Sequence, residues 1–307
     1  MRNILVIKHG AFGDFMQAMG CLQAIRHHHP HHHITLMTTK PFEALARASG
    51  TVDNVYIDSR PKWYRLGAWA ALKRWLNVQN FTFVYDLQNS ERTAFYLTLF
   101  KDRPQWSGIA KGASHAVPDD GARKSKHVFQ ALVDQLAVAG ITPVSVDTLE
   151  WIEADTSGLD VPPRYALVVA GCSAKHLAKR WPHERYAEVC GWFAARGVTP
   201  VLLGTKDEAD VTAAIKTACP VALDLTGRTT LMQIAVLARG AVCAIGNDTG
   251  PIHMIAPTGC KTLGLYPAFS NPQRHGPLGA HVRTIQQKTM ADISTGQVFI
   301  ELEKMIA

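Results

Sequence analysis

Short apolar runs alternate with helix-period segments from one end of this chain to the other, and that alternation limits the possible folds more than any other feature. Ile4–Lys8 reads as a strand, and Phe15–His28 as a helix by the spacing of Phe15, Met19, Leu22 and Ile25. Ile34–Met37 (strand), Pro41–Ser49 (helix), Val55–Ile57 (strand), Trp63–Leu76 (helix) and Phe83–Leu87 (strand) continue the series. Around Ile152–Pro163 the composition turns polar and proline-rich, which marks a linker. A second series follows: strand Tyr165–Ala170, helix Arg185–Ala195, strand Pro200–Leu203, helices Asp207–Ala218 and Thr230–Ala238, then strands Ala241–Ile245 and Lys261–Tyr266. Such βαβ alternation implies mostly parallel sheets with helices on both faces. The expected fold is therefore α/β, two doubly wound Rossmann-like domains facing a central cleft, residues 1–155 and 156–307. Ligands in such sheets bind beyond the carboxyl ends of the strands.

The 307 residues suffice for two domains with separate cores. No apolar stretch approaches the ~20 residues of a membrane span, and the apolar part of Met1–Lys8 is too short for a signal peptide, so a cytoplasmic location is expected. A formal charge of +7 favours anionic partners: nucleotides, phosphorylated lipids, anionic membrane surfaces or nucleic acid. No helix-turn-helix, zinc-finger or RNA-recognition pattern supports the last of these. The 6 cysteines are scattered without metal or redox spacing, and no role is assigned to them. The cluster His27–His33 has no accompanying carboxylate or cysteine and reads as a solvated connection, so no metal site is assigned.

Distinctive turns stand at four strand ends, three of them containing glycine. His9-Gly10-Ala11-Phe12-Gly13-Asp14 follows the first strand; it is not G-x-G-x-x-G, which disfavours the usual dinucleotide site. Asp14 there suits either a helix cap or a catalytic carboxylate. Tyr85-Asp86-Leu87-Gln88-Asn89-Ser90-Glu91-Arg92 ends another strand, where Arg92 has two readings, an acceptor contact or an ion pair with Asp86. Gly171-Cys172-Ser173 runs on to Lys179-Arg180-Trp181-Pro182, a basic loop after the first strand of the second series. Asn247-Asp248-Thr249-Gly250-Pro251-Ile252-His253 opens a short helix after a buried strand, with Pro251 suited to its first turn and Asp248 or Thr249 to its cap. A helix start of this kind favours anions.

These motifs, in this order and over nearly the whole chain, resemble the ADP-heptose:lipopolysaccharide heptosyltransferases (glycosyltransferase family 9). The resemblance rests on the G-D loop ending in Asp14, D-L-Q-x-x-x-R at Asp86–Arg92, K-x-W-P at Lys179–Pro182 and D-T-G-P-x-H at Asp248–His253. Asn89 stands where the family commonly has glycine. The resemblance implies a GT-B fold with an N-terminal acceptor domain and a C-terminal donor domain whose last helix can pack back on the first. It implies Asp14 as the base and Lys179 as the cation on the leaving diphosphate. Ser173, Lys179, Asp248, Thr249, Gly250 and His253 would hold the donor; His253 is equally readable as a packed core histidine. Gly13, Asp14, Gln88 and Arg92 would face the acceptor, with the basic stretch Lys111–Lys126 beside it. Leu202–Glu208 and Leu225–Leu231 resemble loops near the nucleotide base.

The implied reaction is inverting transfer of a heptose from an ADP-sugar to a lipopolysaccharide-core hydroxyl, with the nucleotide sugar as substrate and no cofactor. Implied partners are the nucleotide sugar and the phosphorylated acceptor, with peripheral contact at the cytoplasmic face of the inner membrane. No D-x-D motif of the metal-dependent sugar transferases is present. A nucleotide-sugar epimerase or hydrolase on the same architecture is the competing enzyme reading, and a non-catalytic anion- or nucleic-acid-binding protein the competing class. Fold alone does not separate these.

Overall fold

The structure, a computed structural model, describes residues 2–117, 121, 123 and 125–306, and of Ala174 and Lys175 the backbone only. It divides into two units, Met1–Asp147 and Thr148–Ala307. The boundary precedes the polar linker expected at Ile152–Pro163. Residues 141–163 contain no strand and a single 3₁₀ turn at Ser157–Leu159, so composition marks only the second half of the irregular stretch.

The N-terminal unit runs β1 (Asn3–Ile7), α1 (Phe12–Gln17), α2 (Met19–His28), β2 (His33–Thr38), α3 (Glu43–Ala48), β3 (Asn54–Ile57), α4 (Leu66–Val78), β4 (Phe81–Asp86), α5 (Glu91–Tyr96), β5 (Gln105–Gly108), β6 (His115–Ala116) and α6 (Val128–Val138). Its sheet has the order β3-β2-β1-β4-β5-β6 with all pairs parallel. The C-terminal unit runs β7 (Tyr165–Val169), α7 (His183–Ala194), β8 (Thr199–Leu202), α8 (Ala209–Ala218), β9 (Leu223–Asp224), α9 (Leu231–Gly240), β10 (Cys243–Asn247), α10 (Gly250–Ile255), β11 (Thr262–Pro267), α11 (Pro272–His275), β12 (Val282–Gln287) and α12 (Thr295–Ile306). Its parallel sheet is ordered β12-β11-β10-β7-β8-β9. Numbered within its own unit, each sheet reads 3-2-1-4-5-6, the doubly wound order. Strand order reverses between the first and fourth strands, and a crevice opens there beyond their carboxyl ends. The switch points are thus β1/β4 and β7/β10.

Strands covered on both faces are apolar without interruption, and β7 is buried along its whole length. Its side chains still alternate between two cores. Ala166 and Val168 meet α7, α8 and α12 through Tyr186, Phe193, Ile215 and Leu302. Tyr165, Leu167 and Val169 meet α9 and α10 through Ile234, Leu237, Ile252 and Ile255. Each such aliphatic side chain contributes about 1.5–3 kcal/mol on full burial. The last helix, which the resemblance allowed to reach back to the N-terminal domain, belongs to the C-terminal core through Val298, Leu302 and Met305.

Three elements differ from expectation. The helix expected over Phe15–His28 begins at Phe12 and is interrupted at Ala18, so Asp14 lies inside the first helical turn. Pro41 lies in a 3₁₀ turn, Lys40–Phe42, ahead of α3. The helix expected from Trp63 starts at Leu66, and Trp63 and Tyr64 fall in a turn before it. All six cysteines are buried and free, and burial pushes the Cys21 and Cys260 thiols up to about 12, which leaves them unreactive. Among the described residues no helix is long and apolar enough to cross a membrane.

Candidate active site

In the C-terminal unit the loops after β7 and β10 meet at the switch point, and Asn247, the last residue of β10, joins them. Its Nδ2 donates to the carbonyls of Ala170 (2.7 Å) and Gly171 (3.2 Å), and its Oδ1 accepts from Trp181 N (3.1 Å) and Tyr186 Oη (2.9 Å). Both amide donors and the acceptor oxygen are used, as a fully buried amide requires. Trp181 is 1% exposed and donates its indole N–H to Ile293 O at 2.9 Å. The tryptophan of K-x-W-P is therefore an anchor, and it fixes the register of Lys179 two residues earlier.

Lys179 Nζ lies 2.6 Å from Asp248 Oδ2, which also accepts from Ser270 Oγ at 2.9 Å. Ser270 is held in turn by Gln286 Nε2, which donates to its carbonyl at 2.6 Å. The two charged side chains keep 23% and 14% of their surface open, so the pair is accessible to a ligand. An ammonium has three donors, so Lys179 can hold Asp248 and still meet a phosphate. Asp248 is thus a partner of the lysine, not the helix cap that its position suggested. Thr249 occupies the N-cap position of α10 with extended backbone, but its side chain makes no capping bond either. The first amides of α10 are left for solvent or a ligand. Gly246 precedes this turn because a Cβ there would sit 2.8 Å from both Val169 and Ile252, where α10 packs on the sheet.

Other residues expected on the donor side are placed less directly. Ser173 is exposed at the start of the 3₁₀ turn Ala174–Lys179. Arg180 folds back to the Cys172 carbonyl at 3.3 Å. The Lys175 side chain lies outside the described residues. His253 is buried within α10, which favours the packed-histidine reading. In the Leu202–Glu208 loop Glu208 is spent on a capping box with Thr205, 2.7 Å from its backbone N, and Gly227 N donates to Gly204 O at 2.8 Å, which ties this loop to the Leu225–Leu231 loop.

The N-terminal unit builds its switch point in the same way. His9 N donates to Gln88 Oε1 at 2.9 Å, and Lys8 Nζ donates to Leu87 O at 3.2 Å, so the carboxyl ends of β1 and β4 are crosslinked by side chains. Gly10 has φ +109°, and a Cβ on it would lie 2.5 Å from the Phe42 ring; only glycine fits. Ala11 takes the N-cap position of α1 and Asp14 makes no capping bond, which removes the helix-cap alternative for Asp14. The half-buried carboxylate sits in the first turn, where the helix dipole favours its charge. Gly13, beside it, is half-buried.

Lys8 is a residue the sequence reading passed over. It looks like the end of a strand, yet its ammonium is buried at 3% exposure, and burial lowers its pKa against the opposing pull of Asp14, Cys21 and Asp86. Asp14 therefore shares its field with a buried cation. His9 Nε2 lies 3.0 Å from Asp58 Oδ2, and Asp58 accepts from Tyr96 Oη at 2.7 Å and Arg60 N at 2.8 Å. Burial acts to raise the Asp58 pKa, but these partners hold it below the usual carboxylate value.

On the Asp86–Arg92 loop, Asp86 Oδ1 accepts from the backbone N–H groups of Gln88 (3.1 Å) and Asn89 (3.0 Å), while burial pushes its pKa up to about 6. Asn89 adopts φ +50°, the left-handed conformation that glycine takes most readily and asparagine better than most other residues. Its Nδ2 donates to Gln135 Oε1 at 2.6 Å, and Gln135 donates to the carbonyls of Asp86 and Ser107. Arg92 is not the ion-pair partner of Asp86. It donates to Pro61 O at 3.1 Å and lies 5.7 Å from the Trp69 ring centroid. In the basic stretch Lys126 pairs with Asp134 at 2.6 Å, and Lys124 lies outside the described residues. His29, from the histidine cluster, bonds Tyr85 Oη at 2.8 Å, and burial lowers its pKa to about 4. Among the described residues no group of three or more His, Cys, Asp or Glu side chains is placed to hold a metal ion.

Two doubly wound units, each with its loops gathered at its own switch point, are the arrangement of the GT-B fold. The family model of glycosyltransferase family 9 (heptosyltransferase) matches residues 69–299, and the chain belongs to that family. It is 25% identical to lipooligosaccharide heptosyltransferase 2 of Haemophilus influenzae, over 90% of this chain and 86% of that one. The fold is shared with a solved family 9 glycosyltransferase of Veillonella parvula (TM-score 0.82, 20% identity, 99% of this chain and 97% of that one). It is shared also with E. coli heptosyltransferase WaaC, solved with ADP (TM-score 0.77, 17% identity, 99% of each chain).

Proposed function

We propose that this glycosyltransferase is an inverting heptosyltransferase that moves a heptose or related sugar from an ADP-sugar to a hydroxyl of a phosphorylated lipopolysaccharide-core acceptor. The observation that carries this reading is Lys179, held by Asp248 and Ser270 beside an uncapped helix start at the C-terminal switch point. That is a site for a group whose negative charge grows during the reaction. The names of the relatives, lipooligosaccharide heptosyltransferase 2 among them, supply the sugar and the acceptor class. The ADP in the solved WaaC structure supports an adenine nucleotide.

In this mechanism the acceptor hydroxyl oxygen attacks the anomeric carbon from the face opposite the diphosphate. The new C–O bond forms as the bond to the phosphate oxygen breaks, and ADP departs with the electron pair. Asp14 takes the hydroxyl proton late, when the oxygen has become acidic. Lys179 and the amides of Thr249 and Gly250 meet the leaving charge without reorganising. Ser173 supports the donor phosphates and His253 supports α10 from within. Gly13 lets the acceptor approach the backbone, with Gln88 and Arg92 on the acceptor side. The enzyme works in the cytoplasm or at the cytoplasmic face of the inner membrane.

Incubation with ADP-heptose, with and without a heptose-deficient core acceptor, tests the reading. ADP release that depends on acceptor, with inverted anomeric configuration in the product, is expected. Consumption of ADP-heptose without acceptor would instead mark a hydrolase or epimerase.

A further inference from the structure

From Ser59 through Tyr85 the chain carries no acidic residue, while Arg60, Lys62, Arg65, Lys73 and Arg74 are all present and all exposed. The turn ahead of α4 also places large apolar side chains in water. Trp63 is 84% exposed, Leu66 77% and Tyr64 53%. Single exposed apolar residues are ordinary, but three within four positions make a patch that calls for a partner. The turn is ordered. Arg65 N donates to Lys62 O at 2.9 Å, and the Trp69 indole donates to the same carbonyl at 3.2 Å, which folds the turn onto the first turn of α4. Leu72 and Leu76 bury the inner face of that helix, and Lys73 and Arg74 lie on its outer side. The result is an apolar tip within a basic collar.

We propose that this tip and collar dock the N-terminal unit on an anionic lipid bilayer. Tryptophan and tyrosine favour the headgroup level, where an apolar ring and a polar edge are both satisfied. Leucine reaches the acyl boundary, and the surrounding cations meet lipid phosphates, each contributing about a fivefold gain in partitioning. Exposed aromatics with cations also suit single-stranded nucleic acid, where bases stack on rings. Leu66 has no π face to offer a base, yet it is among the most exposed of these side chains. An acyl boundary accommodates it.

The purpose of docking, access to a lipid-linked acceptor, rests on the function proposed above, but the test does not. Full-length protein is sedimented with vesicles of phosphatidylethanolamine containing about one-third phosphatidylglycerol, without glycolipid, at low and high salt. Binding that weakens with salt and is weaker on phosphatidylcholine vesicles is expected. Trp63→Ser/Tyr64→Ser/Leu66→Ser should lower it at least about tenfold, and Lys62→Ser/Arg65→Ser by on the order of tenfold with reduced salt sensitivity. Circular dichroism is expected to show both variants folded, since every substituted side chain is exposed. Transfer to a delipidated, water-soluble acceptor is expected to persist in both. Binding only when glycolipid acceptor is present, equal binding to neutral vesicles, unchanged binding by folded variants, or preference for mixed-sequence single-stranded DNA over vesicles would each overturn the proposal.

Discussion

In the proposed reaction Asp14 and Lys179 divide the chemistry at the level of single residues, and their surroundings predict different failures. Asp14 makes no cap, so Asp14→Asn should leave the fold and donor binding intact and lower turnover by about 10²–10⁴-fold. Near-normal turnover in steady-state assays would remove it from the chemistry. Lys179→Ala should weaken donor binding and slow turnover further, because its interaction strengthens as the leaving group gains charge. Ser270→Ala should produce a smaller loss of the same kind, since Ser270 acts on Lys179 only through Asp248. An effect of Ser270→Ala equal to that of Lys179→Ala would place the serine directly on the donor. Asp86 predicts a pH signature. Its folded pKa of about 6 exceeds the ordinary aspartate value of 3.8, so the native state holds that proton more tightly than the unfolded chain. Its contribution to stability is present below the unfolded value and lost as pH rises through about 6. The difference in melting temperature between wild type and Asp86→Asn should change across that window, and a flat difference would show that Asp86 does not titrate there.

At the scale of elements, each switch point is closed by a side-chain amide between two loops: Gln88 across β1 and β4, Asn247 across β7 and β10. Asn247→Ala should destabilise the protein by about 2–4 kcal/mol, because it strands the Ala170 carbonyl, the Trp181 N–H and the Tyr186 hydroxyl in a buried site. Donor affinity should fall with it, as the loop bearing Lys179 loses its anchor. A variant with unchanged melting temperature and affinity would show the two loops to be held independently. Asn247 was visible in the sequence as part of a recognisable motif, but its role was not, because it depends on carbonyls about seventy-seven positions away. Lys8 was overlooked for the same reason: a lysine at a strand end looks solvated until β4 covers it. The apparent caps at Asp14 and Asp248 misled because capping propensity is local, while their carboxylates are placed by tertiary surroundings. Arg92 and Asp86, six positions apart on one loop, looked like a pair, yet Arg92 bonds the distant Pro61 carbonyl while Asp86 accepts from backbone N–H groups of its own loop.

At the scale of the whole molecule, the two units repeat one strand order without a legible sequence repeat. A donor nucleotide that binds only the native C-terminal unit should raise the melting temperature; at a concentration 100-fold above Kd the gain is about 2.7 kcal/mol. ADP and ADP-heptose should do so in a thermal-shift series, and other nucleotides less. No shift with any nucleotide would remove the donor assignment. Turnover is expected to persist in EDTA, since Lys179 and backbone amides supply the positive charge; loss restored by magnesium would reassign that charge to an ion.

The sequence by itself determined the class of fold, because continuously apolar strands alternating with helical periods fit little besides parallel sheets covered on both faces. It determined the family too, since four motifs in a fixed order are carried by short-range residue identities. Short or polar elements escaped it: β6 spans two residues, and β5, Gln-Trp-Ser-Gly, holds one large apolar side chain. Only the tertiary structure decided which strand ends lie side by side, and hence that the loops after β1 and β4, and those after β7 and β10, share a crevice. It alone decided that Asp248 serves Lys179, that Asn89 takes the left-handed turn while its amide reaches Gln135, and that Trp63 and Leu66 stay in water. Those outcomes depend on contacts between residues far apart in the chain, and such contacts exist only once the sheets have closed.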